Sequence, residues 1–304
     1  MNNFKVFKLR ATIFKTILRY KSTQSSAEYC LDSIKKYDYE NFLCTLLLQN
    51  LARSVALAVR GLNVEISRVT EQVSQVNTGL MRLKFWEEAI DKCYLKDFKQ
   101  VPKHPVAIEL FKAISRTNLS KRYLKNLVVA RQNTIDSKHF RLIDDLEKYV
   151  EQTVSSTYYL ILEGSNVRNL DIDHAASHLG KAQGIVQHLR SIPYSRKLNF
   201  IQIPEEVLVK NRVSQEEILR GTVSKALTDC VYEIASRAHQ HLQKSKQLQM
   251  KIPRGETKRV FLPAIPVEIY LDKLQQVEYN VFDPELQRRS WTLLPKLYFG
   301  IWKK

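Results

Sequence analysis

The sequence contains few residues that interrupt helices, since only 8 glycines and 9 prolines occur among its 304 residues. This content argues against collagen-like, glycine-rich and other low-complexity classes and favours long helices. No two of the 4 cysteines form a Cys-x-x-Cys pair, which removes the common zinc and thioredoxin-like patterns. No apolar run reaches the roughly 18 residues that a membrane-spanning helix requires. We expect buried thiols rather than disulfides at Cys30, Cys44, Cys93 and Cys230.

Short motifs of the common cofactor and hydrolase sites are also missing from the sequence, including GxxxxGK[ST], GxGxxG, HExxH and GxSxG. His174 and His178 lie four residues apart, a helical spacing that occurs among metal ligands, but no third ligand is identifiable. Two polar residues on a surface helix are the alternative interpretation. Gly180 and Gly184 form a GxxxG pattern, which predicts close helix packing rather than phosphate binding.

Acidic residues are absent from residues 1–27, whereas this segment holds 6 basic residues and ends in a cluster of serine and threonine. Its apolar residues recur every three or four positions and predict an amphipathic helix. This composition is typical of a mitochondrial targeting peptide. We therefore expect a targeting peptide at residues 1–27 and one helical domain at residues 28–304. A basic surface helix or a membrane-surface anchor is the alternative for the first segment.

The whole chain has a net charge of +17, and removal of the first segment leaves +11. A basic balance of this size suits nucleic acid, anionic lipid or a diphosphate ligand. The sequence lacks basic motifs interleaved with aromatic residues, so we expect no nucleic-acid partner. The last residues, 291–304, are apolar and aromatic with a basic end, a combination that suits either a membrane interface or a terminal helix packed on the core.

Apolar residues at helical spacing recur from Ala27 almost to the end, and no segment alternates convincingly with the period of a strand. The sequence therefore predicts an all-α fold. No internal repeat or low-complexity linker divides the chain, which favours one compact domain. Residues 205–217 are expected to form a short element or loop. Helices are predicted over residues 106–117, 120–135, 140–162, 171–190 and 215–250.

Five blocks of the sequence resemble squalene and phytoene synthases in their order and spacing. The blocks are residues 79–90, 103–110, 127–131, 179–182 with 189–190, and 203–208. This resemblance runs from about residue 28 to residue 276 and implies the all-α isoprenoid synthase fold, a helical bundle around a deep central cavity. Enzymes of this family hold Mg²⁺ through two acidic motifs on facing helices. The metal stabilises the negative charge that develops on the diphosphate leaving group.

The positions that match the two acidic motifs carry no acidic residue. They are Asn63, Val64 and Ser67 in the first motif and Ser191 and Ser195 in the second. Glu65 is the nearby carboxylate, and it lies about 100° or more around the helix from the expected face. Neutral oxygen ligands assist a Mg²⁺ site but do not replace several anionic ones. The resemblance therefore implies a degenerate site without catalytic, metal-ligating or cofactor-binding residues.

Three arginines lie in or beside the matching blocks and are predicted to be residual anion-binding residues: Arg82, Arg131 and Arg190. Surface solvation or structural ion pairing is the alternative role for each of them. If they face a cavity, an anionic lipid or an isoprenoid is the ligand that the resemblance implies.

A targeting peptide together with degenerate motifs resembles one mitochondrial group of this family, whose members assist assembly of respiratory complex I. Residues 60–65 and 294–298 are part of that likeness. It implies a non-catalytic protein on the matrix side of the inner membrane that acts in biogenesis of a membrane-arm subunit. Its partners would be complex I subunits or other assembly factors, with peripheral membrane contact. The alternative is a mitochondrial isoprenoid- or lipid-binding protein, or a prenyl-diphosphate transferase with an atypical metal site.

Overall fold

The computed structural model describes residues 24–252 and 255–303, which form helices joined by short connections, without a β-strand in those ranges. The predicted targeting peptide lies outside the described residues except for its last four positions. The first described helix begins at Ser26, so it starts shortly before the predicted domain boundary. No helix in the described ranges is long and apolar enough to cross a membrane.

The helices succeed one another along the chain with little irregular structure between them. In chain order they are α1 Ser26–Tyr37, α2 Tyr39–Leu46, α3 Asn50–Ser67, α4 Val69–Gln72, α5 Val76–Tyr94, α6 Pro105–Arg116, α7 Lys121–Thr134, α8 Ile143–Val150, α9 Ser156–Gly164, α10 Leu170–Ser191, α11 Ser195–Leu198, α12 Glu205–Asn211, α13 Gln215–Arg220, α14 Lys225–Gln249, α15 Glu256–Arg259, α16 Ala264–Gln276 and α17 Leu293–Lys303. Short 3₁₀ helices cover Phe98–Gln100, Ile192–Tyr194 and Pro284–Gln287. A π-helical turn, Glu151–Ser155, joins α8 to α9.

Side-chain caps place several of the helix ends. Ser25 and Glu28 form a capping box at the start of α1, in which each side chain bonds the other residue's backbone amide. The Asn169 side chain accepts hydrogen bonds from two backbone amides at the start of α10. Pro105 occupies the first turn of α6, where its missing N–H costs no helical hydrogen bond. Each polar cap of this kind stabilises a helix by about 1 kcal/mol.

Most predicted helices are confirmed, and the predicted single helix over 215–250 is wrong. It consists of α13 and α14, which are separated at Gly221. This glycine has a φ of +71°, in the left-handed region that favours glycine, and it ends α13. Ser224 then caps α14 by accepting a hydrogen bond from the amide of Leu227. Residues 140–162 were expected to form one helix, and they form α8 and α9 with the π-helical turn between them.

Two large hydrophobic clusters fill the body. The first surrounds α10, which packs along α14 and also contacts α8 and α16. The second joins α3 to α5, α6 and α7. All four cysteines are buried, and none forms a disulfide bond, as expected. Ala52 and Ala56 of α3 belong to the first cluster, so this helix contributes to both.

The GxxxG pattern in α10 lies where this helix crosses α8 and the π-helical turn. A Cβ atom on Gly180 would stand 2.5 Å from the Cα atom of Ser155, and one on Gly184 would overlap the side chain of Val150. The prediction of close helix packing is therefore confirmed. The Ser155 hydroxyl donates a hydrogen bond to the carbonyl of Ser177, which closes the same contact.

Candidate functional site

The three positions of the first motif lie on α3 and contact different neighbours. The Oδ1 atom of Asn63 accepts a hydrogen bond of 2.9 Å from Nη2 of Arg131 on α7. Val64 is buried in a cluster with Ile34 of α1. The Ser67 hydroxyl donates to the carbonyl of Val64 at 3.0 Å. These side chains therefore do not converge on one point.

The hydroxyls of the two serines in the second motif also donate to nearby backbone carbonyls. The Ser191 hydroxyl donates to the carbonyl of His188 at 2.8 Å, and the Ser195 hydroxyl donates to the carbonyl of Ile192 at 2.7 Å. Hydrogen bonds of this kind satisfy a serine within its own helix. All three motif serines, including Ser67, therefore donate their hydroxyl protons to nearby backbone carbonyls.

The donor set at the motif positions does not fit Mg²⁺, because it comprises one amide, one aliphatic side chain and three hydroxyls. The nearby carboxylate, Glu65, accepts a hydrogen bond of 2.8 Å from the hydroxyl of Tyr29 on α1. Burial, together with this bond, raises the pKa of Tyr29 to about 12. In the described part of the chain, no group of three or more His, Cys, Asp and Glu side chains is arranged to hold a metal ion.

The helix that carries the histidine pair is not a surface helix, because α10 is packed within the first hydrophobic cluster, and the two histidines differ in exposure. His174 is exposed. His178 instead contacts His241 of α14, with 2.8 Å between their Nδ1 atoms. The Nε2 atom of His241 lies 3.1 Å from a carboxylate oxygen of Glu147 on α8, so this cluster ties three helices together.

A network of polar side chains occupies the interior where the corner between α1 and α2 meets α3, α9 and α10. Asn41 donates to Asp38 at 2.8 Å, and Gln183 donates to the side-chain oxygen of Asn41 at 3.0 Å. The buried Tyr158 hydroxyl donates to the other side of the Gln183 amide. Nη1 of Arg60 lies 3.7 Å from Asp38, and its guanidinium lies 5.8 Å from the centre of the Tyr158 ring. No pattern in the sequence predicted this network.

Burial and the Arg60 charge have opposite effects on the pKa of Asp38 in this network. Burial raises the pKa of Asp38, and the Arg60 charge partly offsets that rise. Burial likewise raises the pKa of Tyr158. The Arg60 charge therefore favours the ionised form of Asp38 against the effect of burial.

The structure does not bring the three predicted anion-binding arginines together. Arg82 is exposed on α5 and donates to the side chain of Gln72 at 3.0 Å. Arg190 forms a bidentate ion pair with Glu40, with distances of 2.6 and 3.1 Å. Arg131 is the member of the set that lies inside the body without an ion pair to any described acid.

Arg131 and His188 lie in one buried region bounded by α7, α8 and α10. Burial lowers the pKa of Arg131, whose Nη1 atom donates to the carbonyl of Leu127 at 2.6 Å. Burial, together with the Arg131 charge, lowers the pKa of His188 to about 4, although the hydrogen bond with Gln202 acts in the opposite direction. The His188 ring stands edge-on to Phe140, with 5.5 Å between ring centres. This region is therefore positive and partly apolar, which suits an anion rather than a metal cation.

Replacement of His188 by asparagine is expected to weaken the acid sensitivity of folding. The folded protein protonates His188 only near pH 4, whereas an unfolded histidine binds its proton near pH 6.5. The unfolded state therefore binds more protons between these values, and the stability of the wild type falls as pH is lowered from 6.5 to 4. Urea unfolding at several pH values should show a shallower fall for His188→Asn. His174→Asn, at an exposed position, is the control, and an equal slope in His188→Asn and wild type would contradict the prediction.

A cavity of about 460 Å³ opens between the corner of α1 and α2, α10 and the segment before α17. Its lining includes Asp38 of the polar network and the ion pair of Glu40 with Arg190. Trp291 also lines this cavity and is 85% exposed. The cavity therefore joins the interior network to the C-terminal segment.

These features define an all-α protein of the isoprenoid synthase type, and the positions predicted to match the two acidic motifs carry uncharged side chains. The family model of squalene/phytoene synthase matches residues 34–294. The chain belongs to the squalene/phytoene synthase family, as its blocks predicted.

Curated relatives share most of the length of this chain. It is 43% identical over 277 residues to a Bos taurus protein named NADH dehydrogenase (ubiquinone) complex I, assembly factor 6, covering 91% of this chain and 82% of the relative. The Homo sapiens protein of the same name is 42% identical over the same shares of the two chains. The Dictyostelium discoideum homologue is 32% identical, covering 89% of this chain and 76% of the relative. The predicted resemblance to this group is confirmed.

Solved structures confirm the predicted fold. A dehydrosqualene synthase in complex with a ligand superposes with a TM-score of 0.76 at 17% identity, covering 90% of this chain and 95% of that chain. Squalene synthase HpnC from Alicyclobacillus acidocaldarius superposes with a TM-score of 0.72 at 16% identity, covering 84% and 95%. At these identities the likeness concerns the fold alone.

Proposed function

We propose that the protein is a non-catalytic assembly factor for mitochondrial respiratory complex I. It acts on the matrix side of the inner membrane in the biogenesis of a membrane-arm subunit. The observation that carries this proposal is the relationship, over 91% of the chain, to proteins named complex I assembly factor 6. Its partners are complex I subunits or other assembly factors, and its contact with the inner membrane is peripheral.

The chemistry at the motif positions supports a binding role rather than prenyl transfer. Ser67, Ser191 and Ser195 donate to backbone carbonyls, and no motif position supplies a carboxylate. The Asn63 position contacts the guanidinium of Arg131, whose positive charge opposes a second cation beside it. A protein with this interior acts by holding a partner.

Depletion of the protein in its own cells is the test of this function. Native gels stained for NADH dehydrogenase activity should show selective loss of assembled complex I, with the other respiratory complexes as internal controls. Re-expression of the wild type should restore the band. Ser191→Ala/Ser195→Ala should restore it equally, because both hydroxyls donate to backbone carbonyls three residues earlier in the chain. Normal complex I after depletion would overturn the proposal, and failure of this variant alone would favour a ligand-binding role for the serines.

A second candidate function is the binding of an isoprenoid or an anionic lipid, and Arg131 favours it. Its half-buried guanidinium has no described acid as an ion-pair partner, so an anion entering this region would gain a charged hydrogen bond. Mass spectrometry of extracts from the purified protein should detect such a ligand in the wild type and less of it in Arg131→Gln. Mg²⁺-dependent turnover of farnesyl diphosphate is expected to be absent, and its presence would favour the transferase alternative.

A further inference from the structure

The C-terminal helix α17 carries apolar side chains on two opposite faces. Leu293 and Leu297 are buried, with 4% and 2% exposure, in a cluster with Leu262 of the main body. Leu294 and Phe299 stand on the outer side and are 58% and 63% exposed. A helix that is apolar all round is normally covered on all sides. The outer face therefore lacks a cover among the described residues.

The outer face is bordered by positive charge. Residues 289–304 include four basic residues and no acidic residue. Arg289 and Lys296 are exposed, and neither forms an ion pair with an acid in the described ranges. The Arg289 guanidinium lies 4.0 Å from the ring centre of Tyr39, which holds it beside this surface. The surface thus combines exposed apolar area with basic side chains that have no acidic ion-pair partner in the described ranges.

Two further arginines, Arg53 of α3 and Arg259 of α15, extend this basic border by contacting the neighbouring loop. Arg53 donates to the carbonyl of Leu48 at 2.6 Å, and Arg259 donates to the carbonyl of Leu47 at 3.3 Å. Leu47 packs against the same cluster as the inner face of α17. The positive charge therefore continues from the C-terminal segment to the loop between α2 and α3.

We propose that Trp291 and the outer face of α17 dock on an anionic phospholipid surface. Tryptophan and tyrosine concentrate at membrane interfaces, and Trp291 and Tyr298 are 85% and 59% exposed. The helix has 11 residues, and at about 1.5 Å per residue it is shorter than a bilayer core of about 30 Å. It therefore lies in the interface, where basic residues around an apolar face gain from anionic lipid.

The charge pattern favours lipid over a protein partner, and another exposed apolar patch illustrates the contrast. Met81 and Phe85 on α5 are 74% and 43% exposed. Charges of both signs surround them, including the ion pair of Lys84 with Glu87 at 2.9 Å. The α5 patch therefore lacks a field that would attract anionic lipid, which makes it a matched control for α17.

Vesicle flotation of protein purified from mitochondria tests the proposal. The wild type should float with phosphatidylcholine vesicles that contain cardiolipin, less with phosphatidylcholine alone, and less at high salt. Trp291→Ser/Leu294→Ser/Phe299→Ser should reduce the bound fraction at least about tenfold, since these apolar side chains no longer enter the lipid. Met81→Ser/Phe85→Ser should float like the wild type. Vesicles with phosphatidylglycerol in place of cardiolipin distinguish attraction to negative charge from recognition of the cardiolipin headgroup.

Three outcomes would overturn the proposal: no flotation of the wild type, equal flotation of the triple variant, or equal loss in the α5 control. Thermal unfolding should give the same midpoint for the triple variant and the wild type, because the changed side chains are exposed.

The choice of the inner membrane rests on the proposed function. That function is tested by a separate measurement, the rescue of complex I in depleted cells. If the triple variant fails to restore complex I and the wild type does not float with vesicles, the outer face of α17 binds a protein and the lipid proposal is wrong. If the wild type floats but complex I needs no rescue, the proposed function fails alone.

Discussion

Replacement of Arg60 by methionine is expected to lower the free energy of unfolding by about 3 kcal/mol, because it leaves the Asp38 carboxylate in the interior without its cation. Arg60 is 5% exposed, and its guanidinium approaches both Asp38 and the Tyr158 ring. Urea unfolding monitored by circular dichroism at neutral pH measures the loss. Arg82→Met is the matched control, since Arg82 is exposed and its loss should change stability by no more than about 0.5 kcal/mol.

The loss caused by Arg60→Met should shrink at acidic pH. Burial already raises the pKa of Asp38 in the folded protein, and removal of Arg60 raises it further. A carboxyl whose pKa is raised on folding favours the folded state below its unfolded pKa, and this contribution is lost as pH rises through the folded pKa. Asp38→Asn should therefore recover part of the stability in the Arg60→Met background at neutral pH. A loss that is independent of pH, with no recovery in the double variant, would contradict this explanation.

The all-α fold could be predicted because its evidence is local. Helical spacing of apolar residues persists through the chain, and few glycines and prolines interrupt it. The error in 215–250 arose because apolar spacing continues on both sides of Gly221, while the break depends on one left-handed residue and the cap at Ser224. Spacing indicates the helical faces well, but single backbone conformations within a periodic run leave a much weaker mark.

The interior could be predicted only in part, because its partners are distant in sequence. Asn41 and Gln183 are separated by 142 positions, and Glu40 and Arg190 by 150. Residue types at these positions show that polar groups are present, but not which of them meet. The sequence did contain one usable signal: Gln183 stands on a helix between buried alanine and glycine, where a polar side chain requires a partner.

The close contact at Gly180 leads to the second large effect. Gly180→Ala is expected to lower the free energy of unfolding by roughly 2 to 3 kcal/mol, because overpacking there exceeds the gain in helix propensity. The new Cβ atom would lie 2.5 Å from the Cα atom and 2.7 Å from the amide nitrogen of Ser155. These are backbone atoms of the π-helical turn, so rotation of a side chain cannot relieve the overlap. Thermal unfolding should show a midpoint lower by several degrees.

Gly61→Ala is the matched control, because Gly61 is also inside a helix and a Cβ atom there would meet only side chains, at 3.3 Å from Sγ of Cys30 and 3.7 Å from Cγ2 of Val106. A thiol on a rotatable side chain can shift slightly, and alanine improves helix propensity by about 1 kcal/mol, so this variant should be near neutral. Equal stabilities for the two variants would show that α10 can move away from the π-helical turn. In that case the spacing between α10 and the π-helical turn would not be set by this glycine.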